Sequence, residues 1–175
     1  MRESIFAKYF ATVVAIISVC VILFSAIVLG STKGQWIEDK DALLSKNVKI
    51  ISSLYQNPSN YYGFEQLQIY GTIDAISEII DSTIFLVDEN GQCYYSVGEE
   101  NNAPKNGYII NQGITLKATK GKYVETGDLS GALGERCFIV GYPIVINGAQ
   151  NGVVFASIPL NQSNTYTTEI FKITL

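Results

Sequence analysis

The chain contains no histidine. That omission removes the imidazole base, the Ser/His/Asp triad and the commonest nitrogen ligand for metals from its chemistry. A cysteine nucleophile needs a base beside it, and without histidine the usual partner is missing. Of the three cysteines, Cys20 sits inside an apolar run and reads as a small hydrophobe, leaving Cys93 and Cys137. Glu99 and Glu100, with Asp88 and Glu89, could offer oxygen ligands to a divalent cation. Their spacing matches no calcium loop, and a solvated charged loop accounts for them. No catalytic residue, metal site or cofactor is therefore expected. The side chains better suited to holding a ligand are the tyrosines, which join an apolar body to a polar tip. Arg136, the only arginine besides Arg2, could grip a carboxylate through paired hydrogen bonds.

An apolar segment comes before all of these. From Tyr9 through Thr32 there is no charged residue, enough for a helix to cross the ~30 Å hydrocarbon layer with some tilt. Arg2 and Lys8 precede the run, while Glu38, Asp39 and Asp41 dilute the lysines after it. The positive-inside rule then puts the N-terminus in the cytoplasm and the domain from about Lys33 outside the cell membrane. A cleaved signal peptide would have a shorter apolar core and a small-residue cleavage site, so an uncleaved anchor is the stronger reading. Beyond the anchor, ten Lys/Arg face fifteen Asp/Glu. That balance excludes nucleic acid as a partner, since phosphates demand clustered cations.

The rest of the chain alternates helix and strand signals. Ile37, Leu44, Val48, Ile51 and Tyr55 fall on one helical stripe, which ends at Asn57-Pro58-Ser59. Such a stripe can pack on its own domain and can also pair with a second copy, so a homodimer through Ile37, Leu44, Val48 and Ile51 is expected. A second helix is predicted over 64–81, with Leu67, Tyr70, Ile73, Ile76 and Ile80 as its apolar face. The period then changes to strands at 83–88 and 92–97 around Glu89-Asn90-Gly91, the strongest hairpin signal in the sequence. A loop at 98–107 and a short helix within 109–120 follow, with a third strand at 122–126. The strands 137–145 and 152–159 flank Asn147-Gly148, and 160–175 reads as helix. Five strands interleaved with helices describe an α+β domain with an antiparallel sheet.

TIFLVDENGQCYYSVG resembles the first hairpin of extracytoplasmic PAS-like sensor domains of the single-Cache type. KGKYVETGDLSGALGERCFIVGYPIVINGAQNGVVFASIPL resembles their last three strands, and MRESIFAKYF resembles the lead-in of Gram-positive sensor histidine kinases. The resemblance implies a sheet of order 2-1-5-4-3. It also implies the signal-sensing region of a two-component kinase, with a cytoplasmic end at 1–8, a transmembrane helix at 9–32, a sensor domain at 33–160 and a helix leading back to the membrane at 161–175. Such domains bind small ligands on the concave side of the sheet, which by this resemblance points to Tyr95, Tyr123, Asp128, Arg136 and Tyr142. In that strand order two strands separate Cys93 from Cys137, about 14 Å at ~4.8 Å per strand, beyond the ~7 Å limit for a disulfide. Two free thiols are therefore expected. A tethered binding or scaffolding protein, and the sensor region of a chemotaxis or cyclic-nucleotide receptor, remain the competing readings.

Overall fold

A computed structural model describes residues 5–56, 64–99 and 103–161. The first element, α1 (Ile5–Leu54), runs as one helix through the apolar segment and into the domain, about 75 Å long at ~1.5 Å per residue. Its stretch Lys8–Ile27 is long and apolar enough to cross a membrane and makes no buried contact within the chain. The same helix then turns amphipathic. Leu44, Val48 and Ile51 are completely buried and Tyr55 nearly so, because spacings of three and four keep them on one side. They press on the sheet, so this stripe is covered by the chain's own strands. It cannot also serve as the surface for a second copy, and the expected dimer contact through Leu44, Val48 and Ile51 is corrected accordingly. Ile37 stays 41% exposed, while Trp36 beside it packs against the core.

Helix α2 (Phe64–Ile80) buries Ile69, Ile73 and Ile80, with Tyr70 and Ile76 packed at the margin. Leu67, expected on this face, is exposed instead, since it stands about 200° around the helix from Ile69. The sheet comprises β1 (Thr83–Val87), β2 (Cys93–Val97), β3 (Tyr123–Gly127), β4 (Cys137–Ile146) and β5 (Ala149–Pro159). All its pairings are antiparallel, in the order β2-β1-β5-β4-β3, as the resemblance implied. Between β2 and β3 lies α3 (Gln112–Ala118), capped by Asn111, whose side chain accepts a hydrogen bond from the Gly113 amide at 2.8 Å. Of the expected helix at 160–175 only Leu160 and Asn161 are described, and the rest of it and the break at Asn57-Pro58-Ser59 lie outside the described residues.

The sheet divides two cores. On one face Ile84, Leu86, Val140, Val154, Ala156 and Ile158 meet α1 and α2. On the other, Phe85, Val87, Cys93, Ile139, Val153 and Phe155 meet α3 and the turn bearing Leu129 and Leu133. Ser52 of α1 donates to the Pro143 carbonyl at 2.6 Å and fixes the helix on β4. Lys122 and Asp41 pair at 2.7 Å on the surface, a contact worth little by itself. Cys93 and Cys137 are both buried and unbonded, with β1 and β5 between their strands.

At Gly152 (φ +147°), where β5 passes β1, a Cβ would lie 2.1 Å from the Val87 carbonyl oxygen. Gly152→Ala should therefore cost about 2–5 kcal/mol, from backbone strain and overpacking together. Urea unfolding of the purified protein would measure it, and a loss below about 0.5 kcal/mol would contradict this close approach.

Candidate functional site

The strand register sorts the five side chains expected to bind a ligand. Tyr95 pairs with Leu86 and shares its face, so it packs under α2 rather than on the α3 side. Its ring stacks on Tyr70 with centroids 4.2 Å apart, and its hydroxyl donates to Asp74. Burial and then that carboxylate push its phenol well above the ordinary tyrosine range. Tyr142 lies between Val140 and Ile144 on the same helix-covered face. Asp128 and Arg136 are exposed at the two ends of the turn that joins β3 to β4. Only Tyr123 faces the α3 layer, where its ring meets Phe155 edge-on at 6.2 Å and its hydroxyl donates to Glu125. Burial and the Glu125 carboxylate raise its phenol as well. The five do not converge on one site.

Other polar groups sit on or beside the α3 face. Ser96 pairs with Phe85, and Ser157 pairs with Ile139 and Thr83, which puts both serines on this side of the sheet. Each Oγ is buried without a hydrogen-bond partner, an arrangement that costs about 1–3 kcal/mol per group and calls for an explanation such as a bound molecule. Beside Ser96 opens a cleft of about 350 Å³, lined by Ser96, Val97, Gly98, Ala103, Pro104, Lys105 and Asn106. The 103–110 segment that walls it is held to the first hairpin by backbone bonds. Gly107 donates to the Cys93 carbonyl at 2.7 Å, and Cys93 to that of Tyr108 at 2.8 Å. The cleft is thus lined by an amide-bearing and an ammonium-bearing residue beside apolar ones, with the enclosed Ser96 hydroxyl at its edge, a combination suited to the carboxylate end of a small molecule. Sequence reasoning passed over Ser96, Ser157, Lys105 and Asn106 because a lone serine or lysine carries no motif.

The acidic turn at Asp88 has a structural role. The Asp88 carboxylate accepts hydrogen bonds from the Asn90 and Gln92 amides at 2.9 and 2.8 Å, which shapes the hairpin turn. Among the described residues no group of three or more His, Cys, Asp or Glu is placed to hold a metal ion.

No protein-family model and no curated protein matches the sequence. Solved structures match at low identity. The ligand-binding domain of the Campylobacter jejuni chemoreceptor Tlp3, in complex with 4-methylisoleucine, aligns with a TM-score of 0.59 at 14% identity, over 77% of this chain and 57% of that one. The sensor domain of the V. cholerae histidine kinase DctB aligns at 0.52 and 16% identity, over 78% and 56%. The E. coli DcuS sensor domain aligns at 0.50 and 19% identity, over 79% of this chain and 98% of that one. The chain therefore spans little more than half the length of the first two and nearly all of the third. At these identities the likeness establishes the fold, which is that of the PAS-like sensor domains of chemoreceptors and histidine kinases.

The buried thiols give this layer a pH signature. Cys137 is pushed from 9.0 up to about 11, mainly by burial and then by the Glu135 and Glu99 carboxylates, and burial raises Cys93 too. Between about pH 9 and about pH 11 the unfolded chain has released the Cys137 proton and the folded chain has not. The stability tied to this thiol is therefore complete below that window and declines as pH rises through it. Chemical unfolding at successive pH values should show a shallower alkaline decline for Cys137→Ala than for the unaltered protein. Equal slopes would contradict the assignment.

Proposed function

We propose that the chain is the extracytoplasmic signal-sensing region of a membrane sensor histidine kinase of the Gram-positive, single-Cache type. In this reading α1 spans the membrane with its N-terminus in the cytoplasm, and the cleft beside Ser96 takes a small molecule bearing a carboxylate. The observation that carries the ligand reading is the unpartnered, buried Ser96 hydroxyl at the wall of a cleft that also presents Lys105 and Asn106. The span Lys8–Ile27 leading unbroken into the domain supports the membrane assignment. The near-complete coverage of the DcuS sensor domain supports a single sensing module. A ligand there would press on β2 and the 103–110 segment, and the sheet would pass the displacement to α1 through Leu44, Val48 and Ile51. The signal need only bind two arrangements unequally, by a few kcal/mol. The domain itself carries no catalytic role in this reading.

The fold is shared by chemoreceptor domains, so a chemotaxis output is the second reading. The gene downstream of the Leu175 codon separates the two. A histidine-bearing dimerisation region after another apolar run would fit the kinase, and a long coiled-coil signalling helix would fit the chemoreceptor.

The ligand reading is tested by thermal unfolding of the full chain in detergent with L-valine and isoleucine, bound by the similar Tlp3 domain, and with 4-aminobutyrate, bound by the ligand-binding domain of the Pseudomonas aeruginosa amino acid chemoreceptor PctC, another similar fold. At least one at 100 times its Kd should stabilise the protein by about 2.7 kcal/mol. Ser96→Ala should abolish that gain while leaving the unliganded protein as stable as before, or more so, because it removes an unsatisfied hydroxyl. No response to any of the three, or a response that survives Ser96→Ala, would count against the proposal.

A further inference from the structure

The turn that joins β3 to β4 holds an uncommon backbone conformation. Leu129, Ser130 and Gly131 follow one another with φ of +50°, +59° and +86°, so three consecutive residues lie in the left-handed region. Left-handed residues ordinarily occur singly, because the Cβ of an L-residue there crowds the following carbonyl oxygen, and for a bulky side chain such as leucine the conformation is an outlier. Only Gly131 escapes that crowding. What holds the turn in place is its leucines. Leu129 is fully buried and Leu133 nearly so, both in the cluster that closes the α3 face with Phe85, Ile139 and Phe155. The Leu133 amide donates to the Asp128 carbonyl at 3.0 Å and the Ala132 amide to that of Leu129 at 3.4 Å. Those two bonds tie the turn to itself, and neither reaches the sheet. The strand ladder ends at the pair Gly127 and Cys137. A strained backbone is thus set against the burial of two leucines, and the two effects are of the same order.

From the left-handed run and the two enclosed leucines together we infer that residues 128–133 form a strained cover with two arrangements, closed in this structure and able to swing open as a unit. Opening withdraws Leu129 and Leu133 from the α3-face cluster and lets Leu129 and Ser130 relax to ordinary backbone conformations. It also admits water to a layer in which the buried Ser157 hydroxyl has no partner, so the loss of apolar burial is offset from two directions. The core under α1, built on Leu44, Val48 and Ile51, shares no residue with the cluster that the cover completes. The cover therefore opens while α1 and the sheet stay packed. A local opening of this kind gives a sensing domain a minor arrangement for a signal to select. It does not depend on what occupies the cleft beside Ser96.

The test is methyl relaxation dispersion on the full chain in lipid nanodiscs with its leucine methyl groups labelled. Leu129 and Leu133 should exchange with a minor state on the microsecond-to-millisecond timescale, while Leu44 and Leu86, in the other core, give flat profiles. Two substitutions at exposed positions should move the minor population in opposite directions. Ser130→Gly removes the crowding at a left-handed residue and should lower the population about threefold. Gly131→Ala adds that crowding at φ +86°, where nothing lies within 4 Å of the new Cβ. Its effect comes through the backbone alone, and it should raise the population about fivefold. Flat profiles at Leu129 and Leu133 in both the unaltered protein and Gly131→Ala would overturn the inference. So would a population that neither substitution changes, or exchange of Leu44 and Leu86 at the same rate and population, which would mean that the whole domain opens.

Discussion

Everything in this domain hangs on the burial of Leu44, Val48 and Ile51 against the sheet. Each is fully enclosed, worth roughly 2 kcal/mol by the apolar area it removes from water. The three belong to the helix that also carries the apolar span Lys8–Ile27, so the contact holding the domain together is the one that ties it to the segment long and apolar enough to cross a membrane. The sheet cannot shift across α1 without breaking this packing or moving the helix. The Ser52 bond to the Pro143 carbonyl anchors the far end of the same interface.

That constraint assigns the two faces of the sheet different work. The helix-covered face is spent on cohesion. Its tyrosines are packing and bracing groups, with Tyr95 stacked on Tyr70 and tied to Asp74, and burial raising the Tyr55 phenol in company with Tyr94 and Tyr70. The α3-covered face is closed by a short helix and a turn around Leu129 and Leu133, and it retains the hydroxyls of Ser96 and Ser157 without partners. A layer that leaves polar groups unsatisfied is cohesive enough to fold and still has interactions to gain. The cleft beside Ser96 opens at Val97–Gly98, where Lys105 borders it.

Much of the architecture was legible in the residues. Asn90-Gly91 and Asn147-Gly148 marked both hairpins, and the spacing of Leu44, Val48 and Ile51 marked the buried side of α1. The strand order came from family resemblance, because local patterns do not say which hairpin packs beside which. The faces of the tyrosines were harder to read. A bulge between Leu86 and Val87 sets Tyr94 as an extra residue in β2, so Cys93 and Tyr95 fall on opposite faces although they are two positions apart. Simple alternation would have put them together. Tyr142 shares its parity with Val140 and Ile144, but that places it only once the face covered by α1 is known. Ser96 and Ser157 were invisible for another reason, since what makes them interesting is a buried hydroxyl with no partner, which is a tertiary fact.

The most direct test of this account is a distance along α1 in the whole chain, embedded in lipid nanodiscs. Cys20 and Ile50 are both exposed, so nitroxide labels on Cys20 and on Ile50→Cys would report across the junction between span and domain while the buried thiols stay unlabelled. A continuous helix places the two sites about 45 Å apart at ~1.5 Å per residue, and pulsed dipolar spectroscopy should return one narrow distribution near that value. A broad distribution, or one centred below about 35 Å, would mean that the helix is broken between membrane and sheet. The mechanical link on which the sensing account rests would then be absent.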